Sequence, residues 1–272
     1  MKATRFHILL LSATLIIICF APTLRGMVDQ WWTDEDMGHG FVVPVVIMWI
    51  LWRERSRWLV LPTQWTLWGF VLLAAGAMLQ LMGALGAGLF ASSVAFLITI
   101  AGTVLCFGGM PLFRAWTFPF LLALFMLPKL AVVYNQVTLP LQLLATRIAA
   151  GVLSIGSINV VREGNILDVA GHRISVVEAC SGIRYLLSLG FVAVVFAYLA
   201  DAKPWMRIAL LAASVPVAIL ANALRVAATG LLPVLDAGAP HAISGWFVFV
   251  ICLAMLVLAR RLFNAAYHRY HA

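Results

Sequence analysis

The sequence predicts an all-α membrane protein, a polytopic bundle of about eight transmembrane helices with both ends in the cytoplasm and a small β-hairpin outside the membrane. Three observations carry that prediction. Of the 272 residues, 64% are hydrophobic and 10% charged, too few polar groups to cover a water-soluble domain of that size. The apolar residues fall into runs of bilayer length. The basic residues sit in short clusters between those runs, where orientation signals belong.

The runs cover residues 6–24, 40–52, 65–82, 89–108, 116–134, 183–200, 207–228 and 243–262. Lys2 and Arg5 precede the first in the manner of a signal peptide. Ile16, Ile17 and Ile18 stand before Cys19 where a lipoprotein site needs small residues, so the run reads as a retained helix. The second run is short and extends back through Gly38. The fifth is interrupted by Pro119 and Pro128 and reads as bent. Seven spans is the competing count.

Placing the N-terminus in the cytoplasm puts Lys2, Arg5, Arg53, Arg55, Arg57, Arg114, Lys203, Arg207, Arg260, Arg261 and Arg269 on the inner side, against only Glu54 and Asp201. The other seven basic and eight acidic residues fall outside. That asymmetry orients the chain. The net charge of +8 is then an orientation signal and not a nucleic-acid footprint. Four cysteines show no close pairing, and Cys19, Cys106 and Cys252 lie inside apolar runs, where they act as small hydrophobes. Nothing indicates a disulfide framework.

The longest non-spanning region, 129–180, lies outside. From Thr138 it has helical periodicity broken by Gln142, Thr146 and Arg147, which suits an amphipathic helix at the interface, with a short extra span as the alternative. Residues 158–177 are rich in β-branched side chains, with turn signals at Gly164 and at Ala170-Gly171. They read as a β-hairpin leading to Glu178. The chain, residues 1–272, reads as one transmembrane domain without internal repeats.

Several polar residues stand where burial is expensive. Cys180 opens the sixth span, followed by Ser181 and Gly182; Ser181 suits a helix cap, and Gly182 admits close approach of another backbone. A thiol at a helix N-terminus beside a cation is activated as a nucleophile, and Arg184 is one turn on. The alternative is an interfacial cysteine beside a snorkelling arginine. In the seventh span, Asn222 and Arg225 share a helix face; they form either a buried polar site or a snorkelling pair. His241, at the entry to the eighth span, is either a polar cap or a general base. Together Cys180, Arg225 and His241 fall at one level, the outer membrane edge. The first outer loop holds Asp34, Glu35, Asp36 and His39 without metal-ligand spacing, and reads as a solvated acidic loop.

The strings E-A-C-S-G-I-R at 178–184, N-A-L-R at 222–225 and H-A-I-S-G-W at 241–246 resemble the exosortase family. D-M-G-H-G-F-V-V-P at 36–44 and R-E-G-N-I-L at 162–167 match that family's upstream features. The resemblance runs from about residue 30 to residue 262, with three motifs in order. It implies a bacterial inner-membrane cysteine protease or transpeptidase, paired with exopolysaccharide production, its active site facing the periplasm. Its partners would be membrane-tethered proteins bearing a C-terminal sorting tail: a Pro-Glu-Pro motif, a transmembrane helix and a basic cluster. The family's Cys, Arg and His carry over to Cys180, Arg225 and His241, and Arg184 matches a second recurrent arginine. The chain departs from the family in lacking an aromatic residue often found beside the histidine. The additional C-terminal periplasmic domain of some members is not expected here.

The implied chemistry is a thioester at Cys180, with Arg225 stabilising the thiolate or the oxyanion and His241 moving the proton. Glu178 would orient His241 or pair with Arg184, and Asn222 would position Arg225 or donate to the oxyanion. No cofactor, metal or nucleic acid is called for. The competing class is a non-catalytic transporter or polysaccharide-assembly subunit, with Asn222 and Arg225 lining a solute path. A serine protease or metalloprotease lacks its signature, since neither a Ser-His pair nor H-E-x-x-H is present.

Overall fold

The computed structural model describes residues 2–62, 64–176, 182–200, 203–235 and 238–271. The chain divides into two compact units, Met1–Leu130 and Ala131–Ala272.

The first unit begins with α1 (Lys2–Cys19) and α2 (Ala21–Thr33), which meet at a 66° bend. A 3-10 turn at Gly38–Phe41 leads into α3 (Val42–Arg53), and α4 (Arg55–Trp58) follows. Then α5 (Leu67–Met82) and α6 (Gly88–Ala115) form a hairpin across a π turn at Gly83–Ala87. The unit closes with α7 (Thr117–Ala123) and a 3-10 turn, Leu124–Met126. A seam of small residues holds the hairpin. A β-carbon at Gly69, Gly76 or Gly83 would strike Cys106, Thr99 or Ser92 respectively. Each set is spaced by seven residues, so both seams return to the same face every two turns, and the backbones pack closely without a bulky side chain between them.

The acidic loop after α2 is not solvated as the sequence suggested. Asp36 is only 7% exposed. Lys129 reaches back to it, with Nζ 2.6 Å from the Asp34 carboxylate and 3.1 Å from that of Asp36. Trp31 Nε1 donates to the Met126 carbonyl at 3.2 Å, fastening the same two segments. Burial alone would lower the Lys129 pKa, but hydrogen bonds and charge from Asp34 and Asp36 outweigh it and raise it above the ordinary lysine value. For His39, burial dominates and lowers the pKa below 6.5 despite Asp36 nearby.

The second unit is α8 (Ala131–Ile155), a sheet of β1 (Val160–Glu163), β2 (Ile166–Val169) and β3 (His172–Ser175), then α9 (Ile183–Ala200), α10 (Pro204–Leu231) and α11 (Gly238–His271). The sheet is an antiparallel meander in the order β1-β2-β3. The expected hairpin has a third strand because both turn signals act. Gly164 turns at φ 63° between β1 and β2, and Ala170 and Gly171, at φ 52° and 89°, turn between β2 and β3. One sheet face is apolar: Leu167, Val169, Ile174 and Val176 pack on Ala149 and Leu153 of α8 and on Val226 and Ala227 of α10. On another face α10 presents Val217, Ala218 and Ala221 to Tyr185, Leu189 and Ala193 of α9 and to Cys252 and Leu256 of α11. The helix carrying Asn222 and Arg225 is thus the centre of its unit.

Six described helices are long and apolar enough to cross a membrane: α5 with its π turn, α6, α8, α9, α10 and α11; the bent α1–α2 pair makes a seventh. With the bent pair as one span the described residues give seven, the competing count, against about eight expected. The expected fifth run ends as helix at Met126, and the chain leaves helical geometry at Leu127, before Pro128. Gly38–Arg53 is likewise a shorter apolar helix. The segment read as interfacial instead begins earlier, at Ala131, and is long enough to span.

Lys129→Ala should destabilise the first unit by about 2–4 kcal/mol, because it strands two carboxylates beside apolar helices. Thermal unfolding in detergent measures this, and adding Asp34→Asn and Asp36→Asn should recover most of the loss. The same assay should show stability falling as pH drops below 6.5, because the unfolded chain then binds a proton that folded His39 resists. Above that pH His39 contributes no slope, and His39→Gln should flatten the acid limb.

Candidate functional site

Residues three and four apart on a helix share a face. That places Asn222, Arg225 and Thr229 of α10 in one line, and all three border a cavity of about 20 Å³ with Ile174, Ser175, Val176 and His241. It has room for one water molecule. Asn222 is 1% exposed and Arg225 7%, so the arginine does not snorkel. The buried polar site, one of the two sequence readings, is the one observed.

Arg225 is held from two neighbouring helices. Its Nη2 donates to His241 Nε2 at 2.8 Å and to the His241 carbonyl at 3.2 Å. Its Nε donates to Ser244 Oγ at 3.3 Å, and that hydroxyl donates in turn to the His241 carbonyl at 2.8 Å. The guanidinium carbon lies 5.8 Å from the centre of the Tyr185 ring of α9, a cation-π distance. On its other side, His241 Nδ1 donates to the Leu235 carbonyl at 3.0 Å. A carbonyl can only accept, so the imidazole is protonated at Nδ1 and offers Nε2 as its basic nitrogen.

Two glycines make this packing fit. Gly245 lies against Tyr185 and Arg225: an added β-carbon would stand 3.1 Å from Tyr185 Oη and 3.6 Å from Arg225 Nη2. Gly182, at φ 84°, lies against Asn222, where a β-carbon would come within 2.9 Å of Cγ and Nδ2. The Gly182 carbonyl also accepts from Leu186 N–H in the first turn of α9. The close approach read from the sequence at this glycine is therefore real, and the approaching group is a side chain.

Of the residues singled out by sequence, Asn222, Arg225 and His241 come together. Arg184 is half-buried in the first turn of α9. Cys180, Glu178 and Ser181 lie outside the described residues, between Val176 of the cavity wall and Gly182. Among the described residues, the group that orients His241 at Nδ1 is the Leu235 carbonyl. That group escapes sequence reasoning because any residue supplies a carbonyl. Ser244 was within reach, since it stands one turn from His241. Tyr185 carried no signal. Among the described residues no three His, Cys, Asp or Glu side chains gather as a metal-ligand group.

A helical membrane protein with a hydrogen-bonded Arg-His pair beside a small sheet is the class defined by this architecture. The family model for transmembrane exosortases matches residues 31–258, most of the chain, and the protein belongs to that family. No curated protein and no solved structure matches it.

Gly182→Ala should cost about 1–3 kcal/mol, from the left-handed backbone conformation and the contact with Asn222 together. Thermal unfolding in detergent measures the loss, and a companion Asn222→Ala, which vacates the space, should return part of it.

Proposed function

We propose that this chain is a membrane cysteine protease or transpeptidase that cleaves C-terminal sorting tails of exported proteins at the outer face of the inner membrane. The observation that carries the reading is the hydrogen-bonded Arg225–His241 pair. Val176, before the Cys180 segment, lines the same cavity as the pair, and Gly182, after it, packs on Asn222, which lines that cavity too.

In this mechanism the Cys180 thiolate attacks the scissile carbonyl. The tetrahedral oxyanion collapses to a thioester and expels the tail as an amine. Arg225 engages His241 and Ser244 through Nη2 and Nε, leaving Nη1 for the thiolate and then the oxyanion. A fixed cation in a water-poor site is effective there, because its stabilisation needs no reorganisation. His241, held at Nδ1 by Leu235, takes the thiol proton at Nε2 and returns it to the leaving amine. An acceptor amine or water then resolves the thioester.

The test is co-expression with a tagged protein bearing a Pro-Glu-Pro, transmembrane-helix and basic-cluster tail, read as the fraction processed. Cys180→Ala should abolish processing, and Arg225→Ala should slow it by about 10²–10³-fold. His241→Ala should slow it and shift its pH dependence. Full processing by Cys180→Ala sinks the cysteine mechanism.

A further inference from the structure

The strand that precedes the Cys180 segment has an open edge that runs into the cavity. β3 is the last strand of the sheet, and among the described residues it pairs only with β2. The register sorts its backbone groups. Val176 N–H donates to the Asn165 carbonyl, and the pairs Ile174–Leu167 and His172–Val169 follow at steps of two. Residues 172, 174 and 176 therefore turn their N–H and C=O groups to β2, and those of Arg173 and Ser175 turn outward. Arg173 and Ser175 are exposed. Ser175 also lines the cavity, together with Asn222, Arg225 and His241.

An unpaired strand edge is a template for another extended chain. Natural edges are blunted by charge, proline or a bulge. Here the one charge, Arg173, is drawn across the sheet to Glu163 at 3.1 Å. The end of β3 nearest the cavity carries only the small Ser175. A peptide bond offered to a nucleophile must also be extended, because a helical backbone keeps its carbonyls bonded within itself.

We propose that β3 is the docking edge for the cleavage segment of the substrate. An extended peptide adds as a fourth strand, its backbone bonded to Arg173 and Ser175, and its scissile carbonyl is carried into the cavity of Arg225 and His241. Main-chain bonds of this kind hold a segment in register with few demands on its side chains. The opposite edge supplies the control. On β1, Val161 and Glu163 face β2, so Arg162 turns outward, and no β1 residue lines the cavity.

This inference rests on the proposed function, and its test separates the two. Proline removes an N–H and is tolerated on an outward edge. In membranes containing the tail-bearing substrate, Ser175→Pro should slow processing about ten-fold, near the upper end of what one backbone hydrogen bond contributes. Arg162→Pro, matched in the same sheet, should process at the wild-type rate. Equal loss in both variants, or wild-type speed in Ser175→Pro, overturns the docking edge. A photo-crosslinking residue in place of Ser175, on the Cys180→Ala background, should trap the substrate, and one in place of Arg162 should not. A cross-link between two copies of this chain, or equal yields at both positions, overturns it too. Inactivity of Cys180→Ala with no effect at the β3 edge would remove the docking edge and leave the cysteine mechanism standing. Full processing by Cys180→Ala with substrate trapped at Ser175 would do the reverse.

Discussion

A guanidinium buried in an apolar helix is the constraint around which the second unit is built. Leaving Arg225 unpartnered within α10 would cost several kcal/mol, so neighbouring helices must bring it acceptors. α11 brings two side chains and a carbonyl, from His241 and Ser244, which stand one turn apart at its start. α9 brings the face of Tyr185. Each condition limits the others: Gly245 has to be small for Tyr185 and Arg225 to meet, and the 3-10 turn at Pro233–Leu235 has to present its last carbonyl to the imidazole. The apolar contacts of α9, α10 and α11 hold the helices together. The arginine decides how they are rotated about their axes.

The same bonds give each polar group a defined proton inventory. Arg225 donates throughout. His241 gives its one proton to a backbone carbonyl and keeps a lone pair toward the guanidinium. In the proposed reaction an anion draws the guanidinium toward itself, and that lone pair is then open to the thiol proton. In the proposed reaction, activation of the base and stabilisation of the nucleophile are therefore one event.

Much of this was legible in the sequence, and the gaps have physical causes. α9, α10 and α11 contain the runs that hydropathy marked, and the Asn222–Arg225 spacing identified a shared face before any geometry was known. The fifth run, read as bent at its prolines, stops short because Pro128 forces the backbone out of helix; Leu127 is extended and Lys129 turns aside to two carboxylates. The acidic loop was misread for the related reason that its counter-ion is over ninety residues away in the chain. Gly164 and Ala170-Gly171 were both noted as turns, and two turns require three strands. The Leu235 carbonyl could not be found, because backbone acceptors leave no mark on composition.

The seven-residue seam between α5 and α6 has a consequence for biogenesis. Gly69, Gly76 and Gly83 meet Cys106, Thr99 and Ser92 without help from any other helix. Their contacts close through a single short turn, so the loop entropy that slows distant pairings is small here. The pair can zip as soon as its second strand of sequence has left the ribosome and entered the lipid. The half of the protein without the Arg225 site thus holds a ready-made wedge, complete while the other half is still being synthesised.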